Sequence, residues 1–190
     1  LDAPGAAHDA HHPAPSTDRA RLIRTFMPDA GPACIAVGLP GDYSYCWDAG
    51  AVRFRYAWKG GYVTEVYRKP HRIDGDIFYV EGDGFPLRAG ATPEAAPRRV
   101  QFRGYGLDPM GIPEFEYEFD GVSVRERIEL RAGNLVRRFR TEGDAGTLWF
   151  AIPSDKESQL SATGVKAGGF FKFEGKDARE FYITIKPEPN

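Results

Sequence analysis

The sequence predicts an all-β protein, an antiparallel β-sandwich of jelly-roll-like build, on three observations. Apolar and polar residues alternate with period two over most of the chain from residue 21 onward. Short turns rich in Gly, Pro, Asp and Asn separate the alternating runs, and no long stretch keeps a 3.6-residue apolar period. Antiparallel strands with one wet face bury the other against a second sheet.

Composition agrees and narrows the function. The 190 residues are 42% hydrophobic, 27% charged and 13% aromatic, enough for one well-packed domain. A net charge of −2 and a pI near 6.1 remove any overall attraction to nucleic acid or an anionic surface. No apolar run approaches the roughly 20 residues that span a bilayer. The chain starts at Leu1 and not at Met, which leaves room for a processed leader or an anchor ahead of it.

Residues 1–20 read as an extended, mobile arm, because "LDAPGAAHDAHHPAPSTD" offers too little apolar surface to order itself unless it lies on a partner. His8, His11 and His12 fall here, and histidines without a fixed scaffold or further ligands usually hold no metal. Residues 21–190 form the single sandwich domain. The first strand is expected at 22–27. Next, "IAVGLPGDYSY" reads as strand, turn, strand, with Cys34 and Cys46 at its two ends. A two-residue Pro40-Gly41 turn sets the two cysteines almost opposite each other, so a cross-strand disulfide and a pair of buried free thiols both remain open.

In "AVRFRYAW" alternation places Phe54, Tyr56 and Trp58 on one face, and Gly60-Gly61 is expected to turn the chain into a new strand at 62–67. Further strands are predicted at 77–80 and 98–103, with an Ala/Pro-rich surface loop over 88–98. "EFEYEF" and "VSVRERIEL" flank Asp120-Gly121, the strongest short hairpin signal in the chain. A two-residue loop pairs Glu118 with Ser123, Glu116 with Arg125 and Glu114 with Arg127. The same register meets Phe119 with Val122 and Tyr117 with Val124 on the apolar face. Strands at 135–141, 147–152, 170–174 and "EFYITI" complete the set. Ionisable side chains are expected on wet faces throughout, with none in a dry setting.

The chain carries no Gly-rich phosphate loop, no Gly-x-Ser-x-Gly turn and no His-Glu-x-x-His helix. His71 is the one histidine in the strand-forming part, which leaves a serine or cysteine nucleophile short of bases. Glu116 with Glu114 or Glu118 has the spacing of a glycosidase pair, but the facing arginines lower carboxylate pKa values, the wrong direction for a general acid. A solvated charge ladder is the preferred reading, and no catalytic residue or cofactor is assigned. Basic groups at Arg68, Lys69, His71 and Arg72, and at Arg137, Arg138 and Arg140, are candidates for docking on anionic groups of a protein or lipid layer. Trp47, Trp58, Tyr62 and Trp149 would serve a carbohydrate-binding module if their rings were exposed.

The segments "RTFMP", "GPACIAVGLPGDYSYCWDAGAVRFRYAWKGGYV", "GFPLR" and "FRGYGLDPMGIPEFEYEFDGVSVRERIE", in that order, resemble the β-sandwich domain of PVC-type haem-binding cytochrome c proteins. The likeness runs from about Arg24 to about Leu130 and is most specific in Ala-Trp-Lys-Gly-Gly and "GIPEFEYEFDGV". It implies an extracytoplasmic, periplasmic protein of bacterial electron transfer. The sequence departs from that family in having no Cys-x-x-Cys-His, so the usual thioether attachment of haem is closed to it. The expectation is a haem-free sandwich, extrinsic to the membrane, docking through its arm and basic loops on a respiratory or photosynthetic complex such as a reaction centre with its light-harvesting ring.

Overall fold

The structure, a computed structural model, describes residues 11–12, 18–143 and 146–187. The predicted arm lies largely outside them, as do the side chains of His8, His11 and His12. In chain order the strands are β1 (His11–His12), β2 (Arg21–Met27), β3 (Gly31–Leu39), β4 (Tyr43–Asp48), β5 (Arg53–Thr64), β6 (Arg72–Val80), β7 (Leu87–Ala89) and β8 (Val100–Leu107). There follow β9 (Pro113–Phe119), β10 (Val122–Arg131), β11 (Asn134–Glu142), β12 (Leu148–Ala151), β13 (Leu160–Ala162), β14 (Val165–Ala167), β15 (Phe170–Phe173) and β16 (Glu180–Ile185). Two single-turn 3-10 helices, Glu157–Gln159 and Gly175–Ala178, are the helical content of the described residues.

The strands form three antiparallel sheets. The first runs β1-β5-β4-β3-β2 with β6 also on β5, the second β13-β16-β11-β10-β9-β8, and the third β14-β15-β12-β7. The first and third both pack on the inner face of the second. Trp47 of β4 stacks on Phe115 of β9 at 4.3 Å, and Phe173 of β15 stacks on Phe181 of β16 at 4.1 Å. One contiguous core, from Ile35 to Ile185, takes side chains from all three sheets. The all-β sandwich is therefore the observed fold.

The β9–β10 hairpin has the predicted register throughout, Phe119 facing Val122 and Glu114 facing Arg127. Asp120 and Gly121 both take positive φ, 45° and 84°, as a type I′ turn requires.

Four local expectations are corrected. Arg55 is an extra residue in β5, because Cys46 faces Tyr56 while Trp47 faces Phe54. This bulge reverses the alternation, so Phe54 enters the main core while Tyr56 and Trp58 enter a second cluster on the opposite face. Gly60-Gly61 does not end the strand: β5 continues to Thr64, and Gly60 pairs with Gly75 of β6. A Cβ on Gly61 would stand 2.7 Å from the Asp74 carbonyl oxygen, so glycine lets the two backbones approach. The loop between β3 and β4 has three residues, Pro40 to Asp42, since Leu39 faces Tyr43. Finally, β7, β13 and β14 are three-residue strands outside the predicted set; their alternation is too short to register.

The second cluster gives the first sheet an apolar outer face. Met27, Cys34, Ala36, Cys46, Tyr56, Trp58, Tyr62 and Val63 are all buried in it. The bent end of β5 contributes to this closure: Tyr62 donates to the Ala36 carbonyl at 2.7 Å, and the Trp58 indole N–H donates to the Gly61 and Tyr62 carbonyls at 3.1 Å each.

Candidate functional site

Inward positions on β10 are Val122, Val124, Glu126 and Ile128, and on β11 Leu135, Arg137, Phe139 and Thr141. Two of these are charged, and they meet in the core. Arg137 Nε donates to Glu126 Oε1 at 2.7 Å, and its Nη1 donates to Glu81, just past the end of β6. The three side chains are 1–2% exposed. Arg137 also lies 4.9 Å from the ring centre of Phe54, 5.1 Å from Phe139 and 5.2 Å from Phe150, one ring from each sheet. Tyr117 and Trp47 donate to Glu126 at 3.1 and 3.4 Å, and Tyr79 to Glu81 at 3.4 Å. This corrects the expectation of a core without ionisable groups. The triad is a charged rivet at the junction of the three sheets, its side chains withdrawn from solvent.

Its electrostatics are unbalanced, with two carboxyls to one guanidinium. For Arg137, burial acts to lower the pKa, but Glu126 and Glu81 outweigh it and hold the group fully cationic. Burial pushes the Glu81 carboxyl above its ordinary 4.5; Arg137 pulls it back and the nearby Glu126 adds to the rise. An acid whose pKa is higher folded than unfolded binds its proton more tightly when folded. Its stabilising contribution is therefore complete below pH 4.5 and is lost as pH rises through the folded value. Glu81→Gln should abolish this slope. Urea midpoints at matched ionic strength should show the wild type losing stability relative to the variant as pH climbs from about 4.5 toward neutrality.

The outer face of the second sheet is the opposite kind of surface. A groove of about 410 Å³ crosses it, lined by Arg103, Arg125, Arg140 and Arg179 and by Glu116, Glu118, Glu142 and Glu180. The predicted ladder supplies one pair, Arg125 with Glu116 at 3.5 Å, and Arg103 of β8, outside that ladder, meets Glu118 at 2.8 Å. Glu114 is taken by Arg140 at 2.7 Å and Arg138 at 3.4 Å, while Arg127 turns to Asp108 and Glu129. Such half-exposed pairs contribute about 0–1 kcal/mol each, so the groove adds little to folding. Glu114, Glu116 and Glu118 all have arginine partners.

The basic residues separate into two groups. Arg68 and Lys69 are exposed in the loop after β5, Arg72 is exposed at the start of β6, and His71 fastens the loop to β2 through its amide on the Phe26 carbonyl at 2.8 Å. In the other group Arg137 is fully buried, so it is withdrawn from the docking surface. Arg138 and Arg140 are half-buried on the groove side and committed to Glu114. The alternation along β11 makes this division, pointing Arg137 inward between its outward neighbours.

Cys34 faces Asp48, and Cys46 faces Ala36, so the cysteines are diagonal neighbours and not opposed, as follows from the three-residue loop. Both are free thiols, buried at 1% and 0%. Burial and the adjacent Cys34 push the Cys46 thiol well up, which keeps it protonated and inert. The four aromatics weighed for sugar stacking are also inside: Trp47, Trp58 and Tyr62 at 0% and Trp149 at 7%. The open ring platform of a carbohydrate-binding module is thus not formed by these residues. Among the described residues no group of three or more His, Cys, Asp or Glu is placed to hold a metal ion. Among them, too, no helix is long and apolar enough to cross a membrane.

Fold and surfaces together define an all-β antiparallel sandwich with a sealed ionic core, a groove of mixed charge and a basic loop. No protein-family model, curated protein or solved structure matches the chain.

Proposed function

We propose that the chain is a non-catalytic accessory subunit, extracytoplasmic and extrinsic to the membrane, that docks on and stabilises an electron-transfer complex of respiratory or photosynthetic type. The observation that carries the docking role is the groove on the second sheet, where four arginines and four glutamates line one open face. Charges of both signs at fixed spacing set the register and orientation of a protein partner more than they set raw affinity. The compartment and the electron-transfer setting rest on the resemblance of the 24–130 region to the sandwich of haem-binding cytochrome c proteins. Without Cys-x-x-Cys-His, the role left to such a sandwich is to hold and position neighbours.

The test is binding of the purified chain to washed membranes of its source cells. Wild-type protein should bind saturably, and Arg125→Glu with Arg179→Glu should weaken binding about tenfold or more through like-charge contacts while leaving the fold intact. Equal binding of both proteins, or none by either, would remove the groove as the docking face.

A further inference from the structure

We infer that the turn at residues 66–69, together with Phe26, is a contact site for the anionic phosphates of phospholipid headgroups; the inference rests on the peripheral-membrane reading above. The turn closes with the Lys69 amide on the Val66 carbonyl at 3.3 Å, which puts Tyr67 and Arg68 at its two corners. Arg68 has φ 55°, at a corner where this kind of turn favours glycine. An exposed arginine thus occupies a corner whose backbone shape is costly for a residue with a side chain. Tyr67 beside it is 65% exposed, with the Arg68 guanidinium 5.0 Å from its ring centre.

Phe26 reaches the same place by a separate device. The pairing of β2 with β3 shifts between Thr25 and Met27, and this irregularity leaves Phe26 42% exposed while Met27 is fully buried. Its carbonyl accepts from the His71 amide, and Thr25 Oγ1 lies 3.0 Å from His71 Nδ1, so the loop and Phe26 are held as one surface. Charge completes the match. Arg72 is held by Asp74 at 3.2 Å, but Arg68 and Lys69 at the apex have no carboxylate partner among the described residues, and Glu65 stands at the loop's start.

Aromatic rings and cations at a convex corner suit a flat layer of phosphates over hydrocarbon. The cations meet headgroup oxygens while Tyr67 and Phe26 sink to the boundary, and no complementary pocket is needed. One loop is a weak anchor, so it orients a protein that a second contact also holds. A partner protein with an acidic patch is the competing occupant.

Sedimentation with sucrose-loaded vesicles at millimolar lipid and low salt tests this without any partner. The full chain should partition onto phosphatidylcholine vesicles containing phosphatidylglycerol, but not onto phosphatidylcholine alone, and salt should reverse it. Arg68→Gln with Lys69→Gln should lower the partition coefficient about thirty-fold. Tyr67→Ser with Phe26→Ser should lower it several-fold while keeping the salt dependence. Equal partition on both vesicle types, no partition on either, or no effect of the charge variant would overturn the site. If these variants instead weaken binding to the detergent-solubilised complex, the loop contacts protein. That result sinks the lipid assignment and leaves the docking function standing.

Discussion

Arg137→Met is expected to lower the unfolding free energy by about 3–5 kcal/mol, among the largest losses any single substitution in this chain should produce. The variant leaves Glu81 and Glu126 facing each other in the core without the guanidinium that joins them. One carboxyl or both must then take up a proton or draw in water, and the three rings around Arg137 lose the group they enclose. A loss of that size is a large share of the about 5–15 kcal/mol that stabilises a typical domain. Glu81→Gln, Glu126→Gln and Arg137→Met together should restore most of it, because a neutral cluster carries no uncompensated charge. Urea unfolding of the single and triple variants is the comparison. Should the single variant fail to fold, recovery of soluble, cooperatively unfolding protein in the triple carries the same information. Equal instability of the two would mean that the guanidinium acts by shape alone.

Trp47→Ala is the second large effect, also about 3–5 kcal/mol, from the cavity left by a fully buried indole. Trp47 lies nearly parallel to Phe115, at 4° and 4.3 Å, and touches Phe102 at 5.0 Å and Tyr117 at 6.0 Å, so it joins the first sheet to the second. Trp47→Phe keeps a ring there and should cost clearly less, its residual loss including the N–H that Glu126 accepts. Denaturant midpoints rank the three proteins. If the phenylalanine variant is as weak as the alanine one, then the link to Glu126 outweighs the stacking.

Much of this fold was legible because its signals are local. Asp120-Gly121 between two alternating runs determined a hairpin register that the structure reproduces pair for pair. What could not be read were single-residue changes of phase. Arg55 sits in a bulge that nothing in "FRYAW" announces, and it moves Tyr56 and Trp58 to the opposite face. One more residue in the β3–β4 loop shifts the register by one, and Cys34 and Cys46 become diagonal neighbours on one face. Strand faces have period two, so an error of one residue reverses every later assignment.

The ionic core did leave a trace. Val122, Val124 and Ile128 set an inward phase that Glu126 interrupts, and Leu135 and Phe139 set one that Arg137 interrupts, on neighbouring strands and with opposite sign. A charge in the apolar phase of two paired strands is a signal for a buried ion pair. Glu81 has no such signature, since it follows β6 and reaches Arg137 only through the tertiary packing. The groove was half legible: the β9–β10 ladder came from the register, whereas Arg103 joins it from β8, and Arg179 and Glu180 from the turn before β16 and its first residue.

If the outward charges serve to hold a neighbour, the most direct measurement is what accompanies the chain from native membranes in mild detergent. The chain should migrate in a large particle whose absorbance spectrum carries haem or photosynthetic pigment, and high salt should release it. Recovery as a free monomer from undisturbed membranes, with no co-migrating complex at low salt, would contradict it.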